Sequence, residues 1–344
     1  MLKYCDSFDH YTSLLSKWTQ IFAASISGAA GRNGNGLLLS GGGSVLKTLG
    51  LQSAFVIGFA YRINTTGTPS GTPYILSAVN TSRGLATVCQ LSILPDNTLA
   101  MYAGNSVLIF NPKTFVFSIG TWNYIELTIN LTAGGGGNVN VAAVLHVNGQ
   151  SIASGNADAA LATTFLLSNS NQANVHSFSA CVVTGSCNVD DIYICDQSGG
   201  VNNTFLGDVK IGCIFPRQDV TTQWTPSSGM AHFSLVNEHV PDDDTTYVYD
   251  NNVGDKDTYY FDTVSAFSGQ IQGAQLCIYA RKNDEGSRAL RDIANAGAFV
   301  GANDIYLGDT YSYHTVPYDT NPAGGGAFTP ANINATDFGV KLTV

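Results

Sequence analysis

A chain of 344 residues is long enough for two domains, each with its own core. Charged residues make up 12% of it against 44% hydrophobic, and Glu occurs three times, at Glu126, Glu238 and Glu285; this does not suit helices, which want charged residues on their surfaces, and suits short strands joined by turns rich in its 37 glycines. The net charge of −10 falls almost wholly in the second half: residues 1–198 hold 8 acids and 7 bases, residues 199–344 hold 17 and 8, and neither half has the Lys/Arg stripe that nucleic acid or an anionic membrane requires.

The opening, MLKYCDSFDHYTSLLSKW, has aspartates and aromatics where a signal peptide needs an apolar run. No run of about 18 apolar residues follows, so the expectation is a chain without export signal or membrane-spanning helix. KYCDSFDHY reads as a first strand and YTSLLSKW as a single helical turn. SAFVIGFAYRI (Ser53–Ile63) is a long apolar strand with an internal glycine, and PYILSAV, LATVCQLSIL, LAMYA and NSVLIF follow at short intervals. In WNYIELTINL (Trp122–Leu131), Tyr124, Glu126, Thr128 and Asn130 alternate with Ile125, Leu127, Ile129 and Leu131, the period of a half-buried strand. AGGGGN (Ala133–Asn138) is a loop, and NVAAVLHVNGQSIAS is a hairpin turned by Asn148-Gly149 in type I′ geometry. NVDDIYICD (Asn188–Asp196) is a last strand carrying three aspartates, and it neighbours the first strand if the sandwich brings its ends together. Strands without intervening helices predict an antiparallel sandwich.

Seven cysteines occur without any C-x-x-C pair. Two readings stand: buried thiols packing as small hydrophobes, or disulfides formed after the protein leaves a reducing cytosol. If the first and last strands are neighbours, Cys5 and Cys195 come within bonding reach. Cys181 and Cys187 join them as candidate disulfide or interchain thiols.

The order CDSFDHY, GRNGNGLLLSGG, FVIGFAYRI, GTWNYIELTI, VLHVNGQSI and NVDDIYICD resembles the concanavalin A-like, laminin-G-like jelly roll over residues 1–198. The resemblance implies two packed, curved antiparallel sheets. In residues 199–344, TTQWTPSSG, VGDKDTYYF and NATDFGVKL resemble the C-terminal module that follows such domains in virion structural proteins of tailed bacteriophages, which implies a second antiparallel β-sandwich on the outside of a virus particle. Within this half, GQIQGAQLCIYARKNDEGSRALR reads as a strand, a turn and a return strand. Thr329 caps one helical turn with Pro330 at its first position, before a final strand Phe338–Val344.

Jelly rolls of this type host glycoside hydrolases, which take their carboxylates from a Glu-x-Asp-x-Glu strand; three glutamates each over forty residues apart cannot supply one. No G-x-S-x-G elbow and no phosphate-binding G-x-x-x-x-G-K-[ST] loop occurs. The expectation is a protein that is not an enzyme. For calcium, Asp242, Asp244, Asp250, Asp255 and Asp257 offer hard oxygens without EF-hand spacing, so they read either as a solvated acidic loop or as ligands; no other cofactor is expected. Trp224, flanked by turn formers, is either a glycan or partner contact or a packing anchor.

Together these readings give a structural protein of the virion exterior: a decoration, collar or fibre-base component. It is assembled in the host cytoplasm and acts through contacts with other virion proteins. It is expected to be a homo-oligomer, a trimer by analogy with other phage appendages. The alternative is a receptor-binding or glycan-adhesion module of a tail fibre.

Overall fold

The computed structural model describes residues 1–65, 74–80, 86–104, 106–134, 138–159, 173–179, 185–265 and 269–344. Cys181 and residues 135–137 of the glycine loop lie outside the described residues. The protein is all-β and forms two compact units. One comprises Met1–Phe8 and Trp18–Ile211, the other Asp9–Lys17 and Gly212–Val344. Among the described residues no helix is long and apolar enough to cross a membrane.

The first unit is a jelly-roll sandwich made from one continuous antiparallel ladder. Its order is Gln150–Ala159, Val139–Val147, Asn123–Ala133, Ala54–Thr65, Ser186–Asp196, Gly36–Gln52, Ala173–Ser179, Tyr74–Asn80, Ala86–Ile93, Leu99–Ala103 and Val107–Phe110. The strand Gly36–Gln52 serves both layers. Leu37–Ser40 pairs with Ser186–Val189, and the stretch from Ser44 to Gln52 pairs with Ala173–Ser179. Between them Gly41 and Gly42, at φ 56° and 76°, turn the chain from one layer to the other, a conformation that costs a side-chain-bearing residue more than glycine. The Asn148-Gly149 turn forms as expected, with φ 52° and 75° and Val147 opposite Gln150. The first and last strands are neighbours, Leu2 opposite Cys195 and Cys5 opposite Tyr193.

One expectation fails at the strand Asn123–Ala133. Phe55, Ile57 and Phe59 face Ile129, Leu127 and Ile125 in the core, as alternation requires. The other face is buried too: Tyr124 and Glu126 are 2% and 1% exposed. There Leu2, Val56, Ala60, Tyr124, Tyr193 and Cys195 form a second apolar cluster, and Phe205, Leu206 and Val209 pack onto it. A segment some eighty residues downstream covers the face that alternation assigns to solvent.

The second unit is also antiparallel. One sheet runs Pro216–Thr222, Lys256–Phe261, Phe338–Leu342, Ala289–Ala294 and Phe299–Val300, with Ile305–Tyr306 also on Ala289–Ala294. The pair Ala274–Ala280 and Ser312–Tyr318 packs on it through Ile278, Leu276, Val316 and Tyr318 against Leu290, Ala294, Phe338 and Leu342. The turn after Ala280 therefore leads to a return strand in the other sheet, not to a hairpin partner. Thr329 caps the helix Pro330–Ala335 in a reciprocal box with Asn332, and the final strand is Phe338–Leu342.

Candidate functional site

The aspartates of the Ser186–Asp196 strand have local tasks. Asp191 sits at φ 49°, where the pairing with Ala54–Thr65 is interrupted between Asp190 and Tyr193. This bulge turns both carboxylates toward the loop and tail segments of the first unit. Asp190 accepts from the Arg32 and Asp191 amides at 2.7 and 2.8 Å; Asp191 accepts from the Ile211 amide at 2.8 Å and lies 3.4 Å from Arg32 Nε. Beside them Tyr193 Oη donates to Glu126 Oε1 at 2.6 Å, and the Gly207 amide donates to the same oxygen at 2.8 Å. Burial, then the Glu126 charge, pushes the Tyr193 phenol far above its ordinary range. The cluster fastens the tail segment 205–211 to its own unit through one oxygen of Glu126, a residue that is 1% exposed.

In the second unit Asp257 is wholly buried. Its Oδ1 accepts from the Gln223 and Trp224 amides at 2.7 and 2.9 Å; its Oδ2 meets His232 Nδ1 at 2.6 Å and Tyr259 Oη at 3.0 Å. Asp219 holds the helical turn that presents His232, accepting from the His232 and Phe233 amides at 3.2 and 2.6 Å.

A partly exposed set of aromatic and charged side chains lies on the Ala274–Ala280 and Ser312–Tyr318 pair. Tyr279 is opposite Tyr313, and Tyr311 precedes that strand. The Tyr279 and Tyr311 rings stack, centroids 5.1 Å apart and 11° between planes; Tyr313 lies 4.7 Å from Tyr279, and Arg281 covers Tyr311 at 5.1 Å. Tyr279 Oη donates to Asp243 Oδ1 and Tyr311 Oη to Asp244 Oδ1, both at 2.9 Å; Arg281 Nη2 reaches the two Asp244 oxygens at 2.9 and 3.1 Å. An open groove of about 500 Å³ adjoins this face, lined by Arg281, Lys282, Asn283, Asp284, Glu285 and Asp309. Arg281, then Tyr311, holds the Asp244 carboxyl below its ordinary range, so the pair is intact above the usual carboxylate pKa and is lost as pH falls through the lowered one.

Burial and then the Asp243 hydrogen bond push the Tyr279 phenol up to about 12. The neutral phenol stabilises the fold fully below the ordinary value of 10.0 and ceases to do so as pH rises through the raised one. In a spectrophotometric titration, Asp243→Asn is expected to move this late-ionising tyrosine toward the ordinary value. An unchanged titration would remove Asp243 as a cause of the shift.

The predicted metal set does not converge, and no group of three or more ligating side chains occurs among the described residues. Asp242 accepts from the Thr246 amide and hydroxyl, Asp244 binds Arg281, Asp250 accepts from the Asn251 and Asn252 amides, Asp255 accepts from Asn252, and Asp257 is buried in its strand. Each carboxylate is drawn to nearby amides or to a cation of the chain, so the set is not a shared oxygen cage. Trp224 is half-buried and packs on the Ile278, Leu290 and Leu342 cluster, as an anchor does. Its Nε1 is buried without a partner among the described residues, as is Asp250 Oδ2, which follows the Val248–Tyr249 strand of the small sheet with Thr225–Pro226. The register sets Cys5 opposite Tyr193 rather than Cys195, although both cysteines belong to one apolar cluster. Cys187 is buried opposite Ile63 and Leu39.

No family model and no curated protein matches the chain. Among solved structures it is similar to a cellulose-induced protein, Cip1, at 12% identity, covering 60% of this chain and 99% of that one with a TM-score of 0.42. It is similar to a marine alginate lyase from Aplysia kurodai at 12% identity, over 57% and 99% of the two chains, TM-score 0.40. A mutant Trypanosoma rangeli sialidase displaying trans-sialidase activity matches at 16% identity over 56% of this chain and 30% of that one, TM-score 0.38. These likenesses concern the β-sandwich. The expectation that this chain is not an enzyme is corrected to this extent: proteins named as alginate lyases and a sialidase are among these similar structures.

Proposed function

We propose that this chain is a component of the exterior of a tailed-phage particle and that its second unit contacts a saccharide through the Tyr279–Tyr311 face. The stacked pair with Arg281 and Asp244 carries this reading. A sugar ring has an apolar C–H face that rests on phenol rings, and hydroxyls that need fixed donors and acceptors at the rim. Tyr279, Tyr311 and Arg281 are held by Asp243 and Asp244, so little side-chain freedom is lost on contact. The resemblance of TTQWTPSSG, VGDKDTYYF and NATDFGVKL to phage virion modules supports the placement on a particle. Contacts with other virion proteins, and a homo-oligomer, belong to the same reading.

The test uses the full chain and purified host surface polysaccharide. Tyr279→Ala with Tyr311→Ala is expected to weaken binding about fivefold or more, since each ring contact is worth about 0.5–1.5 kcal/mol. Antibody against the chain should label intact particles. Unchanged affinity in a folded double variant removes the saccharide face; particles that carry no label remove the placement.

A further inference from the structure

We propose that Cys213, His10 and Lys17 form a reactive-thiol site in the second unit, which exchanges with disulfides. His10 Nδ1 lies 3.3 Å from Cys213 Sγ, and His10 Nε2 lies 3.2 Å from Lys17 Nζ. The imidazole thus bridges an ammonium and a sulfur. An ammonium has only donors, so Nε2 must offer its lone pair to it. The imidazole proton is then on Nδ1, directed at the sulfur, and the sulfur accepts it best as a thiolate. The opposite tautomer would set Nε2–H against N–H of Lys17. Lys17 Nζ also lies 5.3 Å from the Tyr11 ring centroid, a position that favours its charged form.

The imidazole is held in place. His10 and Lys17 are 9% and 4% exposed, and Tyr11 and Tyr313 meet the His10 ring edge-on at 5.1 and 5.3 Å. Tyr313 Oη donates to the His10 carbonyl at 2.8 Å. Cys213 is partly exposed, whereas Cys89, Cys187 and Cys195 are buried. The site therefore joins a rigid, buried activating pair to a sulfur that a reagent can reach. In exchange, Sγ attacks one sulfur of an incoming disulfide, a new S–S bond forms as the old one breaks, and the departing thiolate takes a proton from water. The disulfide is the only co-reactant, whether a small molecule or a strained bridge on a neighbouring protein.

Cys277 is the internal control. It is also partly exposed, but its sulfur accepts from Gln275 Nε2 at 3.5 Å. The full chain, reduced and freed of reductant, is treated with 5,5′-dithiobis(2-nitrobenzoate) under native conditions. Release of thionitrobenzoate gives the rates, and peptide mass spectrometry gives the sites. Cys213 is expected to react first, about tenfold or more faster than Cys277, and Cys213→Ser to remove the fast phase. His10→Asn should bring Cys213 to the rate of Cys277. A wild-type Cys213 that reacts no faster than Cys277 overturns the proposal without any variant. A fast Cys213 in a folded His10→Asn chain overturns the part given to the imidazole.

Discussion

Replacing Gly58 with valine is expected to destabilise the first unit severely. Gly58 lies mid-strand, opposite Tyr193 on one side and Glu126 on the other. A Cβ at this position would stand 2.0 Å from Tyr193 Cε1 and 2.6 Å from Cζ. The tyrosine crosses its neighbour strand where that strand has no side chain, and so places its hydroxyl on Glu126. The ring cannot retreat cheaply, because Oη is bound to Glu126 Oε1 at 2.6 Å and accepts from the Leu206 amide at 3.2 Å. Overpacking costs about 1–3 kcal/mol, and each buried polar group left unpaired about 1–3 kcal/mol more. The sum is a large fraction of the stability of a typical domain, about 5–15 kcal/mol. Urea unfolding of the first unit measures it. A midpoint equal to that of the unaltered chain would show that Tyr193 has room to move, and Gly58→Ala should fall between the two.

Asp257→Ala should damage the second unit to a similar degree. It strands two backbone amides, an imidazole and a phenol that now share one wholly buried carboxylate. Removing one member of such a network costs about 3–5 kcal/mol. Asp257→Asn should be milder, keeping one oxygen for the Gln223 and Trp224 amides while its NH₂ group meets the donors of Tyr259 and His232. Trp224 is a direct reporter: of the three tryptophans, Trp18 and Trp122 belong to the first unit. Its emission should show solvent exposure at a lower denaturant concentration in the alanine variant. Equal midpoints for the unaltered chain and the Asp257→Ala variant would mean that water replaces the carboxylate without penalty.

Much of the framework was legible because it is written locally. Asn148-Gly149 needs only two positive φ angles, Thr329-Pro330 only a cap and a preset φ, and the pairing of the last strand with the first needs only a sandwich that brings its ends together. What escaped depends on distant partners. Glu126 looked solvent-facing by period two, but the cover comes from Phe205–Val209. Cys213 and His10 are about 200 residues apart, and nothing near either one marks it. The tyrosine face left a trace in Tyr311-Ser-Tyr313, alternation that puts two rings near one edge. Its meaning needed Tyr279 from the partner strand and two aspartates from the loop at 243–244. The acidic cluster at 242–257 left two readings open because spacing alone does not tell a cage from a series of turns, each capped by its own carboxylate.

The pairing of Leu2–Asp6 with Ser186–Asp196, and the passage of Gly36–Gln52 through both layers, bear on how this protein comes off the ribosome. The innermost ladder of the first unit cannot close until residue 196 has been synthesised. Until then the early strands wait with open edges, the situation in which slow, topologically demanding β-proteins aggregate. Once closed, the two layers share that strand, so losing its pairing in one weakens the other.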